Sequence, residues 1–385
     1  MSSPAEPRPA YLPQLTGLRF VAALGVMICH FSGLLVPVQP QAMASFNSGL
    51  FNAVSLFFVL SGFILSHTYG SALTNKTVSL AKYFFARFAR IYPVFLFALL
   101  IDIPVFYVNN HPEFVSTTKF HLIQKVFLLQ TWIPGPIEVS LRWNAPSWSL
   151  STEAFFYLAF PFLISQIYRL KPKSSLLLLF GALLASTAIS FFVEGRLIPL
   201  YPNTTDIGQT IQSFFGTNPL IRVLEFMAGI ALYNVYRHYE NQLRAWPIWA
   251  WNCVLAGATV VYALVNIYAP TLVIGQGICT AYFSFIILGL TLKRFSINTL
   301  LESPKAVLLG ESSYSLYLIH FPIFHTAMAI TRKLPSLTHF KENHSTIYGL
   351  FLFAISIVAS VLCYQIIESP GRKLLMARFA NWQRA

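Results

Sequence analysis

Charge is what this 385-residue chain has least of: charged residues make up 10% of it, and only 13 are acidic. Soluble domains carry roughly 25% charged residues, so a soluble globular protein is excluded. With 56% hydrophobic residues, the chain reads as a polytopic membrane protein. Cysteine is scarce too. Cys29, Cys253, Cys279 and Cys363 lie in apolar runs without paired spacing, which excludes a disulfide framework and leaves them as reduced packing residues. No metal-binding pattern appears. The opening MSSPAEPRPAYLPQ lacks the basic stretch that leads into a cleavable signal, so the first apolar span is expected to be retained. No appended soluble domain is expected, the sequence shows no low-complexity segment or internal repeat, and the missing repeat argues against an inverted-repeat transporter.

Apolar helix is what the chain has in abundance. Hydropathy marks ten candidate spans near 15–36, 51–70, 91–109, 149–169, 174–194, 218–238, 247–267, 271–292, 312–332 and 346–367. The expected fold class is all-α, a polytopic bundle of about ten transmembrane helices in contact with lipid. An even count puts both termini on one side, and lysine and arginine decide which. Placing both inside gives the cytoplasmic segments most of these residues, among them Lys76, Lys82, Arg87, Arg90, Arg169, Lys171, Lys173, Arg372, Lys373 and Arg378. The formal charge of +13 is then a topology signal, N-in and C-in, and not a sign of nucleic-acid binding. The expected organisation is a cytoplasmic tail over 1–14, a membrane-embedded domain over 15–370 and a basic cytoplasmic tail over 371–385.

Ionisable groups inside spans are costly, and each needs a reason. Arg19 and His30 stand eleven residues apart on the first span, LTGLRFVAALGVMICHFSGLL, so they share one helix face about 16 Å apart along the axis. Such a stripe suits a functional site facing the interior, and a snorkelling Arg19 with a satisfied core His30 would look the same. Arg87 and Arg90 in KYFFARFARIYP are i,i+3 neighbours at the inner mouth of the third span. Two guanidiniums there could grip a diphosphate or act as a positive-inside anchor. A phosphate grip on the inner side with a histidine deeper in the bilayer would suit a donor with a phosphorylated head and a long thin arm, such as an acyl-coenzyme A.

The fourth span opens with NAPSWSLSTEAFFYLAFP, carrying Trp148, Ser149, Glu153 and Tyr157. Glu153 sits about one turn below the outer surface. It could orient His30 and stabilise its imidazolium, or form a structural ion pair with Arg142 or Arg222. Arg222 and Glu225, at i,i+3, most simply satisfy each other. In LGESSYSLYLIHFP, Tyr314, Tyr317 and His320 recur every three residues as a drifting polar stripe, either pocket lining or hydrogen-bonded packing. Trp148 and Ser149 join them as possible pocket lining. Trp132, Trp143 and Trp148 could stack on sugar rings or anchor the interface. In YQIIESPGRKLL, Glu368, Pro370 and Gly371 read as a helix stop.

In combination and in this order, the Arg19 to His30 spacing, SLFFVLSGFIL, Arg87 to Arg90 before IYP, WSLSTEAFFY, RVLEFMAG, SYSLYLIHFP and IESPGRK resemble the acyltransferase-3 family of integral-membrane O-acyltransferases, from about Leu15 to Lys373. The resemblance implies transfer of an acyl group, most often acetyl, from a cytoplasmic acyl-coenzyme A to a hydroxyl of a carbohydrate or glycolipid acceptor such as a cell-surface polysaccharide. The expected setting is a bacterial inner membrane. The resemblance further implies that His30 is catalytic and that Arg19, Arg87 and Arg90 serve donor binding or catalysis; Glu153 is added as the orienting carboxylate. Acyl-coenzyme A is expected as a substrate, with no bound cofactor and no metal. The chain departs from many relatives in having a single histidine in CHF where they carry two in tandem. No hydrolase-like domain is expected after the tenth span, and transfer is expected to finish within the membrane domain. Two other functions fit the same residues: O-acylation of a macrolide or other small molecule, and a glycan transporter or flippase that uses the buried charges as a path.

Overall fold

Among the described residues, each of the ten apolar segments read from the sequence falls on a helix; positions 51 and 271–275 of the expected spans lie outside them. The computed structural model describes residues 10–36, 50, 52–109, 118–133, 141, 143–201, 206–268 and 276–383. Its long helices are α1 (Pro13–Leu35), α2 (Ala53–Thr74), α3 (Leu80–Asn109), α4 (Trp148–Ile167), α5 (Pro172–Phe192), α6 (Pro219–Arg244), α7 (Ile248–Tyr268), α8 (Gln276–Thr291), α9 (Ser313–Lys333) and α10 (Ser345–Cys363). No strand occurs among the described residues. Seven of these helices are long and apolar enough to cross a membrane, and the protein is a multi-pass membrane protein. The other three differ for visible reasons. α8 has 16 residues, α6 ends in the polar run YRHYENQLR, and α9 carries its tyrosines and histidines and ends in Arg332 and Lys333.

Prolines open α1, α5 and α6, where the backbone N–H they lack would have had no intrahelical partner. At α6 the Asn218 side chain also caps the Leu220 N–H at 2.9 Å. Large apolar side chains such as Leu100, Phe162, Leu177 and Leu184 stand exposed on the outside, as expected where lipid replaces water. α2 lies at the centre, packed on α1, α4, α6 and α8. Its crossing with α6 is built on Gly62 and Gly229. A Cβ on Gly62 would collide with the Phe226 carbonyl, and one on Gly229 with the Val59 carbonyl. On the other side α9 packs between α3 and α10, and α1 packs on α2, α9 and α10.

The helix stop expected at Glu368, Pro370 and Gly371 is absent. α10 runs through a single π-turn, Tyr364–Glu368, into α11 (Ser369–Trp382). A π-turn interrupts the i to i−4 ladder, so Pro370, at the start of α11, breaks no further hydrogen bond. α11 packs against α3, and its buried Phe379 stacks on Phe85 with ring centroids 4.4 Å apart.

Candidate active site

α1, α2, α3, α4 and α9 surround a cavity of about 180 Å³. Helical spacing accounts for what reaches it. Arg19 projects from α1 and Ser61 from α2, while Arg87 and Arg90 come from adjacent turns of α3. Ser149, Glu153 and Tyr157, at i, i+4 and i+8, form one face of α4; Ser313, Tyr314 and Tyr317 come from α9.

The cavity is cationic, and its cations are unequally compensated. Arg90 is ion-paired to Glu368, whose other oxygen accepts the Ser315 hydroxyl at 2.6 Å. The Arg90 guanidinium also lies 5.0 Å from the centre of the Tyr314 ring. Arg87 donates to the Tyr69 hydroxyl at 3.0 Å and faces the rings of Tyr69 and Tyr157 at 5.1 and 5.6 Å. Its buried Nε has no acceptor. Arg19 makes no hydrogen bond or ion pair among the described residues. The second carboxylate, Glu153, accepts from Tyr157 at 2.5 Å and from Ser61 at 3.5 Å. Neutral hydroxyls do not cancel a guanidinium charge, so the lining favours an anionic ligand.

His30 stands beyond the far end of this cavity. Its Nδ1 lies 2.8 Å from Nε2 of His320, with the rings stacked at 5.1 Å. His320 Nδ1 lies 2.9 Å from the Leu316 carbonyl, which can only accept, so the network assigns that proton to Nδ1. Neutral His320 therefore accepts at Nε2, and His30 donates from Nδ1. The lone pair of His30 is left on Nε2, which has no hydrogen-bond partner among the described residues. Tyr317 joins the two regions. Its ring contacts both Phe57 and His320, and its hydroxyl lies 2.8 Å from Ser149 and 3.0 Å from the Pro146 carbonyl.

The acyltransferase-3 family model, described as an acyltransferase domain, matches residues 12–365. The chain belongs to this family. It is 28% identical to Acyltransferase MdmB of Streptomyces mycarofaciens, with 97% of this chain and 94% of that protein aligned. It is 24% identical to O-acetyltransferase OatA of Staphylococcus aureus over 97% of this chain, and 26% identical to peptidoglycan O-acetyltransferase OatA of Listeria monocytogenes over 94%. The chain spans 59% and 56% of the length of those two relatives. No solved structure matches it. The protein is a membrane O-acyltransferase.

Set against the sequence expectations, the structure gathers Arg19, Arg87, Arg90, Glu153, Ser149, Tyr314 and Tyr317 around one cavity and holds His30 with His320 beside it. The partner of His30 is His320 and not Glu153, which bonds to Tyr157 and faces the arginines. Trp148 does not line the cavity: it is 1% exposed, with Arg222 over its ring at 5.9 Å. Trp143 is equally buried, which removes both from sugar stacking, while Trp132 packs edge-on against Phe155. Arg222 pairs with Glu225 at 3.0 Å, as their spacing suggested. Arg142 lies outside the described residues.

Two groups escaped the sequence reading. In the sequence Glu368 reads as part of a helix stop, although a glutamate within an apolar run is itself a signal. Asp102, a lone carboxylate in LLIDIPVF, is fully buried. It accepts from His325 Nδ1 at 2.8 Å and from the backbone N–H of Asn144. That second bond helps to hold Trp143 and Asn144 in the left-handed region, at φ 47° and 45°.

Proposed function

We infer that the enzyme transfers an acyl group, acetyl in the simplest case, from acyl-coenzyme A to a hydroxyl of a carbohydrate or glycolipid. The observation that carries this reading is the separation of two chemistries along α1. Guanidinium charge held in no ion pair lies at the Arg19 end, and a histidine with a fixed tautomer lies about 16 Å further on. Phosphates of the donor sit at the arginine end of the cavity, and the pantetheine arm runs past Tyr317 so that the thioester meets His30. His30 Nε2 takes the proton of the acceptor hydroxyl as its oxygen attacks the thioester carbonyl. The tetrahedral intermediate then collapses, the carbon–sulfur bond breaks, and the imidazolium returns the proton to the departing thiolate. Glu153 and Tyr157 set the shape and charge of the donor end. The names of the relatives, peptidoglycan O-acetyltransferase among them, support a carbohydrate-type acceptor and an acetyl group.

The test uses purified protein in vesicles with acetyl-coenzyme A and soluble peptidoglycan fragments. Free thiol should appear in step with O-acetylated product, and neither should appear with His30→Ala. A transporter or flippase would release no thiol.

A further inference from the structure

Arg87 and Arg90 are adjacent on α3, and their spacing alone makes them the natural pair to hold a phosphate. Their surroundings divide them. Glu368 is 2% exposed and has both carboxylate oxygens engaged, one by Arg90 and the other by Ser315. It stands at the last position of the π-turn Tyr364–Glu368, the one break in the ladder between α10 and α11. Such turns shift the register of the residues that follow and often mark functional sites. Tyr314 closes over the Arg90 guanidinium from α9, anchored by its hydroxyl to the Ile91 carbonyl at 2.8 Å. Arg90 is thus neutralised and immobilised before any ligand arrives. Among the described residues Arg19 makes no hydrogen bond or ion pair, and Arg87 has only a neutral hydroxyl and an orphaned Nε.

We propose that the anionic head of the donor is gripped across helices by Arg19 of α1 and Arg87 of α3, and that Glu368 withholds Arg90 from the grip, acting as a positioning residue. The proposal rests on the acyl-coenzyme A reading above and goes further by dividing the labour among the three cations. An ion pair already closed offers little attraction to a phosphate, whereas two guanidiniums that share a cavity with Glu153 but close no ion pair offer charge-assisted bonds from both sides. Glu368 also limits the net positive charge of the cavity, which lets the spent coenzyme A leave.

The measurement is binding of coenzyme A to the full-length protein in nanodiscs, with thermal stability recorded for every variant. Arg19→Gln and Arg87→Gln should each weaken binding by about tenfold or more. The double variant Arg90→Gln/Glu368→Gln removes the closed pair as a neutral unit, and its affinity should stay within about threefold of wild type. Glu368→Gln alone, which releases the charge of Arg90 into the cavity, should tighten binding several-fold. A folded double variant that loses about tenfold or more would make Arg90 a direct ligand and overturn the division. Weaker binding by folded Glu368→Gln would overturn it as well. Should the double variant not insert, Arg90→Lys decides: the ion pair survives but the guanidinium fork is lost, so retained affinity supports the proposal and a tenfold loss, roughly, refutes it. If the wild type binds no coenzyme A, the donor reading fails and the grip with it. Binding by the wild type but not by the folded double variant sinks the grip alone.

Discussion

At the scale of single residues, the informative bond is the one between His30 and His320. A carbonyl behind His320 fixes its tautomer, and that tautomer fixes the one on His30, so the nitrogen proposed to accept the proton is set two hydrogen bonds away. His30→Ala should lower acyl transfer by about 10²- to 10⁴-fold, the usual contribution of a positioned general base, while expression and coenzyme A binding stay intact. Near-normal turnover in that variant would remove His30 from the mechanism. His320 acts through His30, and the replacements at 320 should therefore rank by their ability to accept. His320→Gln, whose amide oxygen can take the His30 proton, should retain more kcat than His320→Leu, with KM for the donor unchanged in both. Equal kcat values would mean that the pair is packing only. Sequence made His30 legible because Arg19 shares its helix and the helical period is local. The partnership with His320 was not legible, since it joins residues 290 positions apart and depends on how α1 and α9 pack.

At the scale of elements, the helices were readable and their crossings were not. Hydropathy is a property of a short window, and all ten segments fall on helices. Close approach between helices depends on pairs of residues far apart in sequence, and Gly62 and Gly229 become meaningful only once α2 lies on α6. Because a methyl at either position meets backbone and not a flexible side chain, Gly62→Ala and Gly229→Ala should each destabilise the protein by about 1–3 kcal/mol. Gly181→Ala on α5 provides the contrast. No atom lies within 4 Å of a Cβ built there, so the better helix former should stabilise by up to about 1 kcal/mol. Thermal unfolding followed in one detergent would check both signs, and a destabilised Gly181→Ala would show that helix propensity does not govern that site. The π-turn escaped the sequence for a related reason. Ser-Pro-Gly after an apolar run is the pattern of a helix end, and only the packing of α11 on α3 shows why the chain stays helical through it.

At the scale of the whole molecule, the helices around the cavity place the anion-attracting arginines and the proposed base His30 at different positions along α1, and that arrangement has consequences for sidedness. From the excess of lysine and arginine on one set of loops we propose that the Arg87 end of α3 faces the cytoplasm. On that reading α1 would carry the reaction about 16 Å towards the opposite face, to His30. Coenzyme A thioesters should therefore enter from the cytoplasm and acceptor hydroxyls from the other side. In sealed proteoliposomes of known orientation, an impermeant carbohydrate acceptor should be acylated only when acetyl-coenzyme A is supplied at the arginine face and the acceptor at the opposite one. Reaction only when both substrates share the arginine face would rule out transfer across the bilayer and favour a small intracellular acceptor such as a macrolide. The two outcomes make different demands on the same residues. Transfer across the bilayer needs a route to His30 from the outer surface, so bulk added beside it at Phe321, whose ring meets that of His30 at 5.4 Å, should slow acceptor use and leave donor binding untouched. An enzyme open only inwards would feel that change in both substrates at once, because donor and acceptor would then share a single entrance past Tyr317.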